Sequence, residues 1–346
     1  MQRSRLLAAT LPFAFALLAS CYGSEPGEVA DNNDLIGDPS FAVSVDSLRL
    51  STLAAQGLNL VTNPVLFSMV LDEPLVLWYG RPTPAAAHAM AMRYLQRAMG
   101  RETGAAASPV APMAFRTLAP GSKCVPKITG IGPDSLPRDS DDDGVPDDWK
   151  IDYGAGCVDQ DILGGHRTTY QGSVEFRDTG LGLKSARAIV KGFRITEEGN
   201  EDWGTLINWA EGDETVIFTA VQVTDSLRLV AGQIIPGSSS YFRQDFITTL
   251  VPDSGQAVAL GTYLPPGSVE VAGEFQIVYD TLDTEDPLNF RMVLSTPTSL
   301  HLDLNCGLFE AGKLVGKLNG DSAIRFEATF PGCGVSSEVE LFGTTP

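Results

Sequence analysis

Apolar and polar residues alternate with a period of two through most of the second half of the chain. Over 268–279, Val269, Val271, Gly273, Phe275, Ile277 and Tyr279 hold one parity, and Ser268, Glu270, Ala272, Glu274 and Gln276 hold the other. Successive side chains of a strand point to opposite faces, so this stretch predicts a strand with one dry and one wet face. Leu300, Leu302 and Leu304 alternate with His301, Asp303 and Asn305, and Ile324, Phe326, Ala328 and Phe330 with Arg325, Glu327 and Thr329. Further strands are predicted over 170–177, 187–196, 214–223, 227–235, 240–250, 256–264 and 288–295. Roughly ten strands with tight turns between them leave no room for crossover helices, so the sheet must be antiparallel. The expected class is mainly β: a large antiparallel curved sheet, barrel-like or sandwich, with a short N-terminal helical region.

The period changes towards the N-terminus. Thr83 and Pro84 form an N-cap and first-turn pair, and Ala85 to Met99 is rich in Ala, Met and Leu. Met92, Leu95 and Met99 recur at helical spacing, while Arg93, Arg97 and Arg101 mark a solvated stripe. Residues 47–72 are apolar but are interrupted by Asn63-Pro64, which predicts two short helices. The chain therefore divides into a helical region at 44–103, a Pro- and Ala-rich strap at 104–123, an acidic segment at 124–165 and the β domain at 166–346.

Composition adds compartment and partners. Lys and Arg total 24 against 43 Asp and Glu, a net charge of −19. Phosphate backbones repel such a chain, so nucleic acid is not an expected partner. At the N-terminus Arg3 and Arg5 precede an apolar stretch, Leu6 to Leu18, that ends in Leu18-Ala19-Ser20-Cys21. That layout is a secretory signal, with an apolar part too short to span a bilayer. Its ending resembles the bacterial lipobox, which implies cleavage of 1–20, diacylglycerol on the Cys21 thiol and anchoring in a membrane. Tyr22 rather than Asp follows the cysteine, which by the same resemblance implies the outer membrane. Residues 21–43 then read as a flexible tether.

The sharpest chemical pattern is Asp139-Ser140-Asp141-Asp142-Asp143-Gly144-Val145-Pro146-Asp147-Asp148. Carboxylates stand at loop positions 1, 3, 5 and 9, Gly144 at the sharp turn of position 6 and the Val145 carbonyl at position 7. Ca²⁺ takes six to eight oxygens, and this spacing wraps them around one point. The loop resembles the calcium loops of EF-hands, dockerins and thrombospondin type-3 repeats. Lys150 stands where an EF-hand has its bidentate Glu, so Asp148 or Asp152 or water must complete the shell. Pro137 and Pro146 favour a single thrombospondin-type loop. Asp139, Asp141, Asp143, Val145, Asp147 and Asp148 are thus the expected ligands of a structural Ca²⁺.

Beyond Cys21, four cysteines remain: Cys124, Cys157, Cys306 and Cys333. In an exported chain they predict two disulfides with three pairings open. Sequence order favours Cys124–Cys157, which encloses the acidic loop, and Cys306–Cys333.

Catalytic signatures are missing from the sequence: His88, His166 and His301 lie in separate regions, and there is no Gly-x-Ser-x-Gly or His-Glu-x-x-His. A pair of catalytic carboxylates is a matter of three-dimensional distance, not sequence. Trp203 and Trp209 read as core rather than as a sugar-stacking platform. The whole layout resembles uncharacterised bacterial lipoproteins, and a curved sheet is similar to that of periplasmic lipoprotein carriers. The expected function is non-enzymatic: a lipid-anchored envelope lipoprotein whose β concavity takes a lipid or other amphiphile. The alternative is a Ca²⁺-stabilised β-sandwich for adhesion or carbohydrate binding.

Overall fold

The alternating stretches form twelve strands that follow one another as an unbroken antiparallel meander. They are β2 (Lys127–Thr129), β3 (Asp148–Gln160), β4 (Arg167–Asp178), β5 (Lys184–Glu198), β6 (Thr205–Phe218), β7 (Val223–Ile235), β8 (Ser238–Pro252), β9 (Gly267–Thr281), β10 (Leu288–Asp303), β11 (Leu308–Leu318), β12 (Ile324–Thr329) and β13 (Glu338–Leu341). A two-residue β1 (Arg5–Leu6) bridges the outer edge of β13 and belongs to the segment read as signal. The computed structural model describes residues 5–6, 50, 54, 57–58, 84–98, 124–130, 138–141, 145, 147–160, 167–182, 184–199, 204–256, 264–281, 288–303, 305, 308–318, 321–333, 335 and 337–342.

Each strand from β2 to β13 pairs with its neighbour in sequence, and the ends of the row do not pair with each other. All the described strands belong to this one open sheet. Mainly β and antiparallel is therefore right, and of the arrangements left open it is the curved sheet, not the closed barrel. The predicted strand at 256–264 lies almost wholly outside the described residues. The sheet also begins earlier than the alternation suggests, because β2 and β3 from the acidic segment join it.

Bending is built into the strands. Gly154 on β3 faces Gly172 on β4, the β4–β5 register shifts between Gln171 and Ser173, and the β5–β6 register shifts between Val190 and Phe193. Gly172 has φ +80°, and a Cβ there would sit 2.2 Å from the carbonyl oxygen of Gly192. Gly212 of β6, paired with Val190, continues the line. Bulges at neighbouring positions crease a sheet, and only glycine lets the backbones approach this closely.

One face of the sheet carries the core, in two clusters. The first joins Val269, Val271, Phe275, Met292, Leu294, Leu300, Phe326 and their neighbours on β6–β12 with Leu50 and Ala54, both helical residues of the N-terminal region. The second joins Trp149, Ile151, Tyr170, Val174, Val190 and Leu229 of β3–β7 with α1 (Pro84–Ala98). Helix α1 starts at Pro84, as the cap-and-proline pair predicts. Met92 and Leu95 are buried as expected, and so are Ala87, His88, Met90, Ala91 and Tyr94. The side chains of Arg93, Arg97 and Arg101 lie outside the described residues. The opposite face is crossed by ion pairs, among them Arg187–Asp213 at 3.0 Å and Arg228–Asp245 at 3.2 Å.

Candidate functional site

The two clusters meet along a row of polar side chains on the same dry face. On β7 the parity Val223, Asp225, Leu227, Leu229, Ala231 places Asp225 between apolar neighbours, and on β6 Glu214 holds the parity of Val216 and Phe218. Thr248 of β8 stands directly opposite Asp225, and Glu214 is diagonal to it across the β6–β7 pair. Glu214, Asp225 and Thr248 are all buried, and Tyr94 reaches them from α1. Oxygens from one helix and three strands thus converge beneath α1.

The electrostatics of this seam are unusual. Burial pushes the Glu214 carboxyl up to about 7, and the Tyr94 and Asp225 side chains pull it back towards the charged form. Burial and the neighbouring Glu214 raise Asp225 well above the usual carboxylate range. The Tyr94 hydroxyl is raised too, by burial first and then by Glu214. Among the described residues no lysine or arginine acts on either carboxyl. The Glu214 and Asp225 carboxyls act on one another, yet no hydrogen bond of ordinary geometry closes at either Asp225 oxygen. Tyr94 Oη, Glu214 Oε2, both Asp225 oxygens and Thr248 Oγ1 have no such partner.

A second polar inclusion lies under the same helix. His88, buried, has Nδ1 2.9 Å from the Tyr153 hydroxyl and its ring edge-on to Tyr170 with centroids 4.9 Å apart. Burial raises the Tyr153 hydroxyl, with Tyr170 adding to it, so it stays protonated.

The acidic loop closes on itself. Asp147 accepts from Ser140 N at 2.8 Å and from Ser140 Oγ at 2.5 Å, and these bonds hold its carboxyl below the usual range. Val145 is buried, Asp139 half-buried and Asp141 exposed, while Asp143 lies outside the described residues. Asp148 opens β3 and pairs with Arg177 at 3.6 Å; Asp152 is held by Lys150 at 3.0 Å. Among the described residues no three His, Cys, Asp or Glu side chains converge as a metal cluster. Cys124 and Cys157 form the expected disulfide, with Cα atoms 4.9 Å apart. Cys333 is disulfide-bonded as well, and Cys306 and Cys21 lie outside the described residues.

His301 is part-exposed on the wet face, between Asp253 at 3.0 Å and Glu310 at 2.9 Å. Trp209 is buried over Gly232, where a Cβ would come 2.6 Å from the indole; Trp203 lies outside the described residues. Sequence reasoning missed Glu214 and Asp225. The available signal was an acid on the apolar parity of a strand, a violation that marks functional or strained positions. No family model matches the chain, and no curated protein or solved structure is similar to it.

Proposed function

We propose that the protein is a lipid-anchored, non-enzymatic lipoprotein of the cell envelope that holds an amphiphile against the dry face of its sheet. The observation that carries this reading is the continuity of that face. One open meander presents apolar side chains from β3 to β12, and the chain meets them with α1 over β3–β7 and with Leu50 and Ala54 over the β6–β12 cluster. Packing that relies on separate covering segments can part without breaking the sheet, since no ladder hydrogen bond joins α1 to a strand. The lipobox residues Leu18 to Cys21 and the polar tether supply the anchor, and the Tyr22 position favours the outer membrane. Buried Trp209 does not favour the sugar-binding alternative.

Protein purified without detergent from a Cys21→Ser strain is expected to release an amphiphile on denaturation, at near one per chain by mass spectrometry. A preparation with no extractable amphiphile that also fails to take up a fluorescent fatty acid overturns the reading. The acidic loop is proposed as a structural Ca²⁺ site, supported by its spacing. In the same preparation, a Ca²⁺-dependent rise in melting temperature lost in Asp141→Ala tests it.

A further inference from the structure

The seam between the two clusters has a charge problem that its own side chains do not solve. Two carboxyls, a threonine hydroxyl and a tyrosine hydroxyl face one another in an apolar interior, and each is more than nine-tenths buried. One shared proton removes one charge and can engage only one pair of oxygens. Five oxygen atoms there lack a hydrogen-bond partner of ordinary geometry, and buried polar atoms without one weigh against the fold. A bound cation carrying two charges neutralises both carboxylates and gives those oxygens a partner at once.

We propose that this seam is a binding site for one hard divalent cation, held by the carboxylates of Glu214 and Asp225 and by Thr248 Oγ1, with the Tyr94 hydroxyl closing it from α1. The donors are all oxygen, with no imidazole or thiolate among them, which selects Ca²⁺, Mg²⁺ or Mn²⁺ over zinc or copper. Placement supports the role. Asp225 and Thr248 are register partners, Glu214 is the diagonal neighbour, and Tyr94 descends on the same point. The cation lies where β6, β7 and β8 meet α1, so it joins the helix to the sheet as well as one cluster to the other. This site is separate from the acidic loop, which β3 leaves on its way into the sheet.

The test uses the mature chain refolded with Mn²⁺ or Ca²⁺, dialysed, and analysed for bound metal by mass spectrometry, with melting measured with and without chelator. Wild type is expected to carry one equivalent more than Glu214→Gln/Asp225→Asn, and that difference persists when both carry Asp141→Ala. Chelator lowers the melting temperature of the Asp141→Ala chain but not of the chain that also carries the two amides. Thr248→Val, which keeps the shape and removes one oxygen, weakens binding roughly ten- to hundredfold. It serves as the deciding variant if the double amide fails to fold. Three results overturn the proposal: no metal in refolded wild type, the same metal content with and without the amides, or unchanged affinity in Thr248→Val. In the first of these the pair is a proton-sharing dyad only, and stability falls as pH rises towards 7.

Discussion

Glu175 shows how a single side chain on the outer face is decided by its surroundings. It lies on β4 between Val174 and Phe176, buried, and burial by itself works against its charge. Lys191 Nζ at 3.1 Å, Arg177 at 2.9 Å and Lys150 at 3.7 Å outweigh that, so its carboxyl is held below the usual range. A carboxyl with a depressed folded-state pKa contributes stability above its unfolded value, about 4.3, and loses it as pH falls through the lower folded value. Glu175→Gln leaves three cations around a neutral amide and is expected to cost about 2 kcal/mol at pH 7. Urea denaturation at a series of pH values checks this: the gap between variant and wild type closes below about pH 4, as the wild-type carboxyl takes up its proton. A gap that stays constant down to pH 3 would mean that shape, not charge, is what Glu175 supplies. The alternation at this point was visible in the sequence, but the three partners come from β3, β4 and β5 and no spacing announces them.

The strands were the most legible elements, because a sheet with one dry face writes its period into the chain. Predicted strands at 170–177, 187–196, 227–235 and 240–250 each fall inside an observed strand, and the separate stretches 288–295 and 300–304 run almost wholly within β10. The prediction for 214–223 ran through a turn. Thr219 N donates to the Gln222 carbonyl at 2.9 Å, and Thr219 Oγ1 accepts from Gln222 N at 3.0 Å. This hairpin carries no Gly or Pro, and its tip, Val221, is apolar and 68% exposed, so nothing in residue type marked it. β3 was hidden for the opposite reason: Trp149, Ile151 and Tyr153 alternate, but the acids before them and Gly154 and Gly156 after them read as loop. Those glycines belong to the crease. Gly172→Ala places a methyl 2.2 Å from a carbonyl oxygen at a φ that disfavours side chains, and neither backbone can yield without shifting a strand. A loss of about 3 kcal/mol or more is expected by chemical denaturation. Gly180→Ala, at φ +63° with open space around it, supplies the comparison at about 1 kcal/mol. Equal losses at the two sites would show that conformation alone, not the close approach of β4 to β5, fixes the crease.

At the scale of the whole molecule, charge and the proposed lipid anchoring pull in opposite directions. The proposed cleavage before Cys21 would remove Arg3 and Arg5 and no acid, leaving 22 basic against 43 acidic groups and a net charge of −21. An anionic membrane surface repels such a body, with each unit charge near the surface acting at about 1 kcal/mol. Among the described residues no helix is long and apolar enough to cross a bilayer. On the outer face Arg187 and Arg228 are matched by acids on neighbouring strands, Asp213 and Asp245. On the proposed anchoring, diacylglycerol on Cys21 therefore opposes this repulsion, and the polar tether holds the acidic body at a distance where screening within about 8–10 Å weakens it. Cys21→Ser is expected to move the protein from the membrane to the soluble fraction of cells while its melting temperature stays unchanged, because the substitution removes the proposed acyl anchor and changes no side chain of the two core clusters. High salt should leave the wild-type protein on the membrane, since salt weakens electrostatic attachment but not buried acyl chains. Fractionation with immunodetection reads both outcomes. A Cys21→Ser protein that stays with the membrane until salt is raised would transfer the anchoring role from lipid to a charged partner, and would remove the lipobox from the account of how this chain is held.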